Sequence, residues 1–270
     1  MPCYSALKGW KDPQTGGIVF RRSFRTQEPM QVACGSCLGC RLDKSRMWAA
    51  RIVHEAHQWD DNCFITLTYN DEHLPYGGTL VKEHFQKFMK RLRKRFTGRT
   101  IRYYHCGEYG EKLNRPHYHA CLFNFDFPDK ELFHENEGQF LFVSEILGEL
   151  WPYGFHTIGD LTFQSAAYCA RYVTKKVTGK KAHEHYLRLV ESTGELIELE
   201  PEYSTMSRRP GIGRDFYEEF KNDFFPSDEL PVPGVGVLKK VPRYYAELLR
   251  QSDPDLLDSV KASRDEFRKE

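Results

Sequence analysis

Between residues 41 and 59 the apolar side chains Leu42, Trp48, Ala49, Ile52, Val53, Ala56 and Trp59 return at helical spacing and share one side, which predicts an amphipathic helix. The pattern then changes. Asn62–Tyr69 is rich in β-branched and aromatic residues and reads as a strand. Residues 79–96 are helical again, with Phe85, Phe88, Met89, Leu92 and Phe96 inward and basic residues outward. Strands are expected over 100–106 and 117–125, joined by a hairpin connection at 108–116 that carries Gly110 and Asn114. A short helix over 143–151, a strand over 155–162 and a helix over 163–177 follow. The order β-α-β-β-α-β-α predicts an α+β layer, an antiparallel sheet with helices on one face. Past residue 179 the pattern weakens, and Pro226, Pro231, Pro233, Gly234 and Gly236 mark an irregular connection before a last helix at 242–249 and a charged tail. Three regions result: a Cys-rich loop and helix at 1–60, a core at 61–178 and an extension at 179–270.

Composition adds limits. Of 270 residues 40% are apolar and 29% charged, an ordinary globular balance. No apolar run approaches the ~20 residues of a membrane span, and the first residues lack the apolar stretch of a signal peptide. The expectation is a reducing cytoplasm with no membrane partner, where cysteines serve as thiols or metal ligands. A net charge of +1 hides a basic stripe between Lys82 and Arg102, balanced by acidic stretches at 126–149 and 184–202. Within it Arg91, Arg93, Lys94 and Arg95 are candidates for phosphate contact; a solvated helix face is the plainer alternative.

The chemistry-bearing residues fall in three places. On a strand His117 and His119 point to the same side, roughly 7 Å apart, and can converge on one ion with Glu108 as a neighbouring carboxylate. Such a set suits Mg²⁺ or Mn²⁺ with water and a phosphate oxygen in the open positions; two half-buried histidines are the alternative. On the helix at 163–177, Ala166, Cys169, Ala170, Val173 and Val177 form the core stripe, while Tyr168, Tyr172 and Lys175 fall nearly opposite with Lys176 at the edge. A phenol of pKa about 10 needs a base, a cation or a metal to become a nucleophile. The alternative is that both rings cover the sheet or meet a partner chain. Third, Cys34, Cys37 and Cys40 sit on a tight turn before a helix, and with Cys3 they make a candidate Cys₄ zinc site, against a reading as free thiols. A ferredoxin-type run would need a cysteine where Lys44 stands. Cys63, Cys106, Cys121 and Cys169 read as core. Arg208, Arg209 and the Pro-Gly-Ile-Gly turn after them offer phosphate contacts or an ordinary loop. Tyr103, Tyr104 and Phe123 are candidates for stacking on unpaired bases, or for packing.

Taken together, Phe64-Ile-Thr-Leu-Thr-Tyr69, Arg115-Pro-His-Tyr-His119 and Ala167-Tyr-Cys-Ala-Arg-Tyr-Val-Thr-Lys-Lys176 resemble the three ordered motifs of the HUH endonucleases. The two-tyrosine third motif is similar to that of rolling-circle replication initiators of small single-stranded DNA phages. The Cys-Gly-x-Cys-x-x-Cys-Arg opening and the segment from Met206 to Gly213 are similar to those of gokushovirus-type microviruses. The likeness covers about residues 30 to 217 and implies an RRM-like antiparallel sheet with the histidines on a central strand. It implies nicking of single-stranded origin DNA, with a 5′-phosphotyrosine, a free 3′-OH for a host polymerase, and later rejoining of the strand. Tyr168 and Tyr172 would be the nucleophiles, His117, His119 and Glu108 the metal ligands, and Arg115 and Lys176 further DNA contacts. Lys175 follows Tyr172 by the family's three-residue spacing and Lys176 does not, so Lys175 takes the catalytic role. Competing readings are a zinc-dependent single-strand-binding protein without catalysis, and an HUH transposase or relaxase.

Overall fold

A computed structural model of the chain describes residues 3–15, 17–23, 29–111, 113–136, 138–172, 176–177, 179, 182–225 and 227–267. The chain divides into two compact units, residues 1–46 and 47–270. The first holds three short antiparallel strands, β1 (Leu7–Lys11), β2 (Ile18–Val19) and β3 (Pro29–Val32), in the order β2-β1-β3, and the opening turns of α1 (Leu38–His57).

The second unit is built on a seven-stranded antiparallel sheet. Its elements in chain order are β4 (Asn62–Tyr69), α2 (Lys82–Arg95), β5 (Arg102–Tyr109), β6 (Pro116–Phe123), β7 (Glu131–Asn136), β8 (Gln139–Val143), α3 (Glu145–Leu150), β9 (Gly154–Gly159) and α4 (Phe163–Tyr172). Then follow α5 (Ala182–Tyr186), β10 (Leu187–Val190), β11 (Glu195–Glu198), β12 (Tyr203–Met206), α6 (Arg214–Phe224), β13 (Leu230–Val232), β14 (Gly236–Leu238), α7 (Arg243–Ser252) and α8 (Pro254–Phe267). The sheet order is β12-β5-β6-β4-β9-β8-β7, while β10 with β11 and β13 with β14 form separate hairpins.

Strand β4 alternates buried and half-buried positions along its whole length. Cys63, Ile65, Leu67 and Tyr69 go down one face with Tyr118, Ala120 and Leu122 of β6, and α2 closes over them with Phe85, Phe88, Met89 and Leu92. Each fully buried Leu or Phe there contributes about 1.5–3 kcal/mol. This face also carries a polar lock. The Tyr118 hydroxyl donates to Val81 O at 3.0 Å and accepts from Val81 N at 2.9 Å. Tyr69 then donates to Tyr118 at 2.7 Å, and His84 donates to Tyr69 through Nδ1 at 2.6 Å.

The expected α+β antiparallel architecture is present, with one addition: helices lie on both faces. Tyr104, Cys106, Cys121 and Phe123 make part of the second face apolar, and Ala49 and Ile52 of α1 with Ala166 and Cys169 of α4 bury it. On its other side α1 meets a cluster from α6, α7, α8 and β13. The tail expected to be merely charged is thus largely the helix α8, with Leu257 and Val260 buried. The hairpin β7–β8 and the edge strand β12 were not anticipated, being short and partly exposed. Among the described residues no helix is long and apolar enough to cross a membrane.

Within the α1–α7 cluster His54 is fully buried, stacked on Phe216 at 3.9 Å between ring centroids, and bonded to the Tyr245 hydroxyl at 2.9 Å and Pro231 O at 2.8 Å. Burial pushes its pKa down to about 4, opposed by the Pro231 carbonyl. The unfolded chain, with a histidine near 6.5, therefore binds more protons than the folded one between pH 6.5 and 4, and stability falls as pH drops through that window. Between pH 7 and pH 5 wild type should lose about 2 kcal/mol more than His54→Asn, read from urea unfolding at the two pH values.

Candidate functional site

The second sheet face has rungs fixed by backbone pairing. Glu108 of β5 lies opposite His117 of β6, His117 opposite Thr68 of β4, and Thr68 opposite Phe155 of β9. One rung further in, Cys106, His119, Thr66 and Thr157 line up, and beyond them Tyr104, Cys121, Phe64 and Gly159. Because side chains alternate, both histidines and Glu108 are on this face and Tyr118 is on the other.

His119 and Glu108 are almost completely buried, and Nε2 of the ring stands 2.8 Å from a Glu108 carboxylate oxygen. Its Nδ1 meets the Thr66 hydroxyl at 3.0 Å, which fixes the ring plane. The His117 ring lies 6.0 Å from that of His119, centre to centre, at 76°. Its Nδ1 is buried without a hydrogen-bond partner among the described residues. Burial, helped by His119 and opposed by Glu108 and by the backbone of Pro116 and Arg115, lowers the His117 pKa, so near neutral pH the ring is uncharged and has one nitrogen lone pair to offer. Gly110 makes room for it: a Cβ there would stand 2.7 Å and 2.9 Å from two His117 ring atoms. The hairpin holds this approach, with Gly110 N donating to Arg115 O and Asn114 N to Gly110 O.

Helix α4 crosses the inner rungs on small side chains. Ala166, Cys169 and Ala170 are buried, and Cys169 Sγ is 3.4 Å from Cys106 Sγ. This close seat brings Tyr168 to the histidines. Its ring meets the His119 ring edge-on at 5.1 Å and that of Phe64 at 6.4 Å, and the residue is 39% exposed. The four cysteines expected in the core, Cys63, Cys106, Cys121 and Cys169, are all fully buried.

Other expected residues fall differently. Tyr172 closes α4 as described, and its side chain, like all of Lys175, lies outside the described residues. Lys176 is exposed and, with Val177, beyond the helix expected to run to 177; Val177 N–H donates to the Tyr186 hydroxyl rather than to a helical carbonyl. The basic helix α2 is on the opposite face from the histidines, held there by its apolar stripe. Arg91 bonds Leu150 O, Arg93 bonds Ile101 O, Arg95 pairs with Glu149, and Lys94 is exposed. Arg115, two residues before His117, is committed to Asp71 at 2.7 Å and to Tyr69 O at 3.0 Å. Arg208 and Arg209 are exposed, just past the β12 residue Met206 that pairs with Tyr104, toward the end of β5 away from Glu108. The Pro-Gly-Ile-Gly turn is not a free cradle of N–H groups. Glu55, in a buried ion pair with Arg102, accepts from Gly213 N at 2.7 Å, and Arg102 and Arg51 bond Pro210 O and Ile212 O. Tyr104 and Phe123 are fully buried and Tyr103 half-buried, so these rings pack and are not offered to bases.

In the first unit Cys3, Cys34, Cys37 and Cys40 have sulfurs all within 4.8 Å of one another, a group that can hold a metal such as zinc. Among the described residues no other set of three or more potential ligands closes to that degree, the histidine site included. Gly35, at φ +75°, turns the chain so that Cys37 N–H points at Cys34 Sγ at 3.3 Å. This backbone donor, with those of Ser36, brings the Cys34 thiol down to about 6, and the Cys40 N–H lowers Cys37. At Cys40 the Gly35 N–H pulls downward, but burial and the neighbouring thiols raise the group to about 12. A divalent cation would take the place of the protons these sulfurs cannot all release.

An antiparallel sheet carrying a buried histidine–carboxylate pair on one central strand and its neighbour, with a tyrosine helix against it, is the arrangement of an HUH-type fold. Residues 62–177 match the family described as Replication-associated protein ORF2/G2P. The chain is 37% identical over 255 residues to Replication-associated protein ORF2 of Spiroplasma virus 4, covering 88% of this chain and 74% of the relative. It is 33% identical to Replication-associated protein VP4 of Bdellovibrio phage phiMH2K, covering 89% and 75%. To Replication-associated protein ORF4 of Chlamydia phage 1 it is 27% identical, covering 81% and 53%. No solved structure matches. The chain belongs to the family of phage replication-associated proteins.

The thiol cluster gives a direct test. Protein purified without chelator should carry about one zinc per chain. Cys37→Ser should lose it, and chelation should lower the melting temperature of wild type while leaving that of Cys37→Ser unchanged, as elemental analysis and calorimetry will read.

Proposed function

We propose that this protein initiates replication by nicking single-stranded origin DNA with a tyrosine. The observation that carries the reading is the Tyr168 ring set edge-on, 5.1 Å from His119, beside a buried histidine–carboxylate pair. Attack by the Tyr168 oxygen on the scissile phosphorus forms the O–P bond of a 5′-phosphotyrosine. The P–O3′ bond breaks, the phenolic proton leaves, and the departing 3′ oxygen takes up a proton to become the primer hydroxyl. The bond energy is retained in the adduct, so a later 3′-OH can reverse the step and rejoin the strand.

The residues fit a hard divalent ion. Glu108 brings a buried carboxylate oxygen to 2.8 Å from His119 Nε2, a hard oxygen donor beside an imidazole, which are donor types such an ion takes. His117, neutral and with an unpartnered buried nitrogen, is the third donor. Mg²⁺ or Mn²⁺ held by these three would polarise the phosphate oxygen and stabilise the charge that builds during attack. Thr66 keeps the His119 ring oriented, and His119 and Phe64 keep the phenol from turning away from the phosphate. From the motif alone, Tyr172 is assigned the second cut on the regenerated origin and Lys175 the cation beside it. Lys176, Arg208 and Arg209, all exposed, are assigned to phosphates of the bound strand. Host helicase and polymerase in the bacterial cytoplasm would use the released 3′ end. The names of the relatives favour replication over transposition or plasmid transfer.

Incubated with origin single strand and Mn²⁺, wild type should form a denaturation-resistant DNA adduct on a gel, and Tyr168→Phe/Tyr172→Phe should form none. An adduct undiminished in the double variant would remove the tyrosines from the chemistry. Gly110→Ala, which pushes on the His117 ring, should cut adduct yield by about ten-fold or more at a near wild-type melting temperature.

A further inference from the structure

The sheet face that carries the histidines continues outward past them, and its next aromatic side chain is turned to solvent. Phe155 lies in the same rung as His117, separated only by Thr68. Two strand spacings put its Cα about 10 Å from that of His117. Its orientation follows from its neighbour. His156 Nε2 accepts from Ser144 N at 3.3 Å, and the His156 ring packs beside Gly148 of α3, which belongs to the opposite face. Phe155 therefore points to the histidine face, where it is 68% exposed.

Packing does not account for this ring. The residues beside it on that face, Thr68 and Thr157, are hydroxyl side chains, so Phe155 continues no apolar stripe. Helix α4 covers the rungs of His119 and Phe64 and holds Tyr168 over them. A scattered exposed phenylalanine is common on protein surfaces; one in the rung of a candidate phosphate site, across a single small side chain, is a specific placement. A phosphate held at the histidines would put the base of an adjoining nucleotide within reach of it, and every base has a face that stacks on an aromatic ring.

We propose that Phe155 is the stacking platform for a base next to the phosphate held at His117 and His119, an inference that rests on the nicking reading above. It assigns to β9 the task that Tyr104 and Phe123, buried in the core, cannot perform. The contact reads no sequence. It fixes which phosphate of a flexible strand comes to rest at the histidines, and so acts as a positioning residue.

The test compares two fluorescent probes of equal backbone charge in the presence of Mg²⁺: oligothymidylate of about 12 nucleotides, within an ordinary single-strand site size, and an abasic strand of the same length. Wild type should prefer the thymidylate. Phe155→Ala should lose about five-fold or more of that preference, the lower end of what one stacked base contributes, with its affinity for the abasic strand unchanged. Phe155→Leu should behave like Phe155→Ala, because apolar area without a flat ring does not stack, and Phe155→Trp should keep the preference. A preference unchanged in Phe155→Ala, or both probes weakened equally, would overturn the proposal. Adduct formation is scored separately with Mn²⁺. If wild type makes no adduct while the base preference still depends on Phe155, nicking falls and the stacking platform stands.

Discussion

Everything at the histidine site depends on the register of β5 against β6 against β4. Side chains on a strand alternate faces, so a slip of one residue in β6 would send His117 and His119 into the α2 core and bring Tyr118 out. The structure holds the register from the far side. Tyr118 is tied to both the N–H and the carbonyl of Val81 and to Tyr69, itself tied to His84. Each of these groups is buried or half-buried, and leaving one without its partner would cost about 1–3 kcal/mol. The middle residue of the His-Tyr-His triplet is thus the anchor that keeps its two neighbours facing the chemistry.

A second constraint acts through the size of the residues under α4. Ala166, Cys169 and Ala170 let the helix backbone come close to the sheet, near enough for Cys169 to touch Cys106. Larger side chains would lift the helix, and Tyr168 with it, away from His119. The buried Glu55–Arg102 pair does related work at the far end of the sheet, gripping the segment from Pro210 to Gly213 through backbone groups. A buried ion pair is weak evidence for stability on its own; here its remaining donors and acceptors are spent on holding one loop in one conformation.

What could be read from the sequence follows from this. Asn62–Tyr69 was legible to the residue because its alternation is unbroken and both its faces are covered. His117, His119, Glu108 and Tyr168 were legible as a set because strand and helix periods fix which residues share a face. The four thiols were legible from spacing, although Cys3 comes from more than thirty residues upstream of Cys37. The position of the basic stripe was not legible: an amphipathic helix shows which side faces the sheet, but nothing in α2 itself says on which face of the sheet it sits. Its arginines then turned out to bond carbonyls and a glutamate. Tyr104 and Phe123 misled for a similar reason, since a second helical layer over their face appears only when α1 and α4 are folded back onto it. Short exposed strands such as β12 carry too few residues for a period to show.

The two helical layers also explain how one small sheet can be both core and working surface. The α2 layer covers its face with large side chains, among them Phe85, Phe88, Met89 and Leu92. Among the described residues the α1–α4 layer covers the rungs of Tyr104 and Cys106, and in the next rung Glu108 is buried, His117 and Thr68 are half-buried and Phe155 is exposed. A polymer can approach such a rung from the side, where an enclosed pocket would admit only its end. The partial cover also sets the electrostatics. Enough protein surrounds His117 to keep its pKa below the ordinary histidine value, so near neutral pH this ring offers a lone pair rather than positive charge. At His117, attraction for a phosphate must then come from a cation that the ring helps to hold rather than from the ring itself.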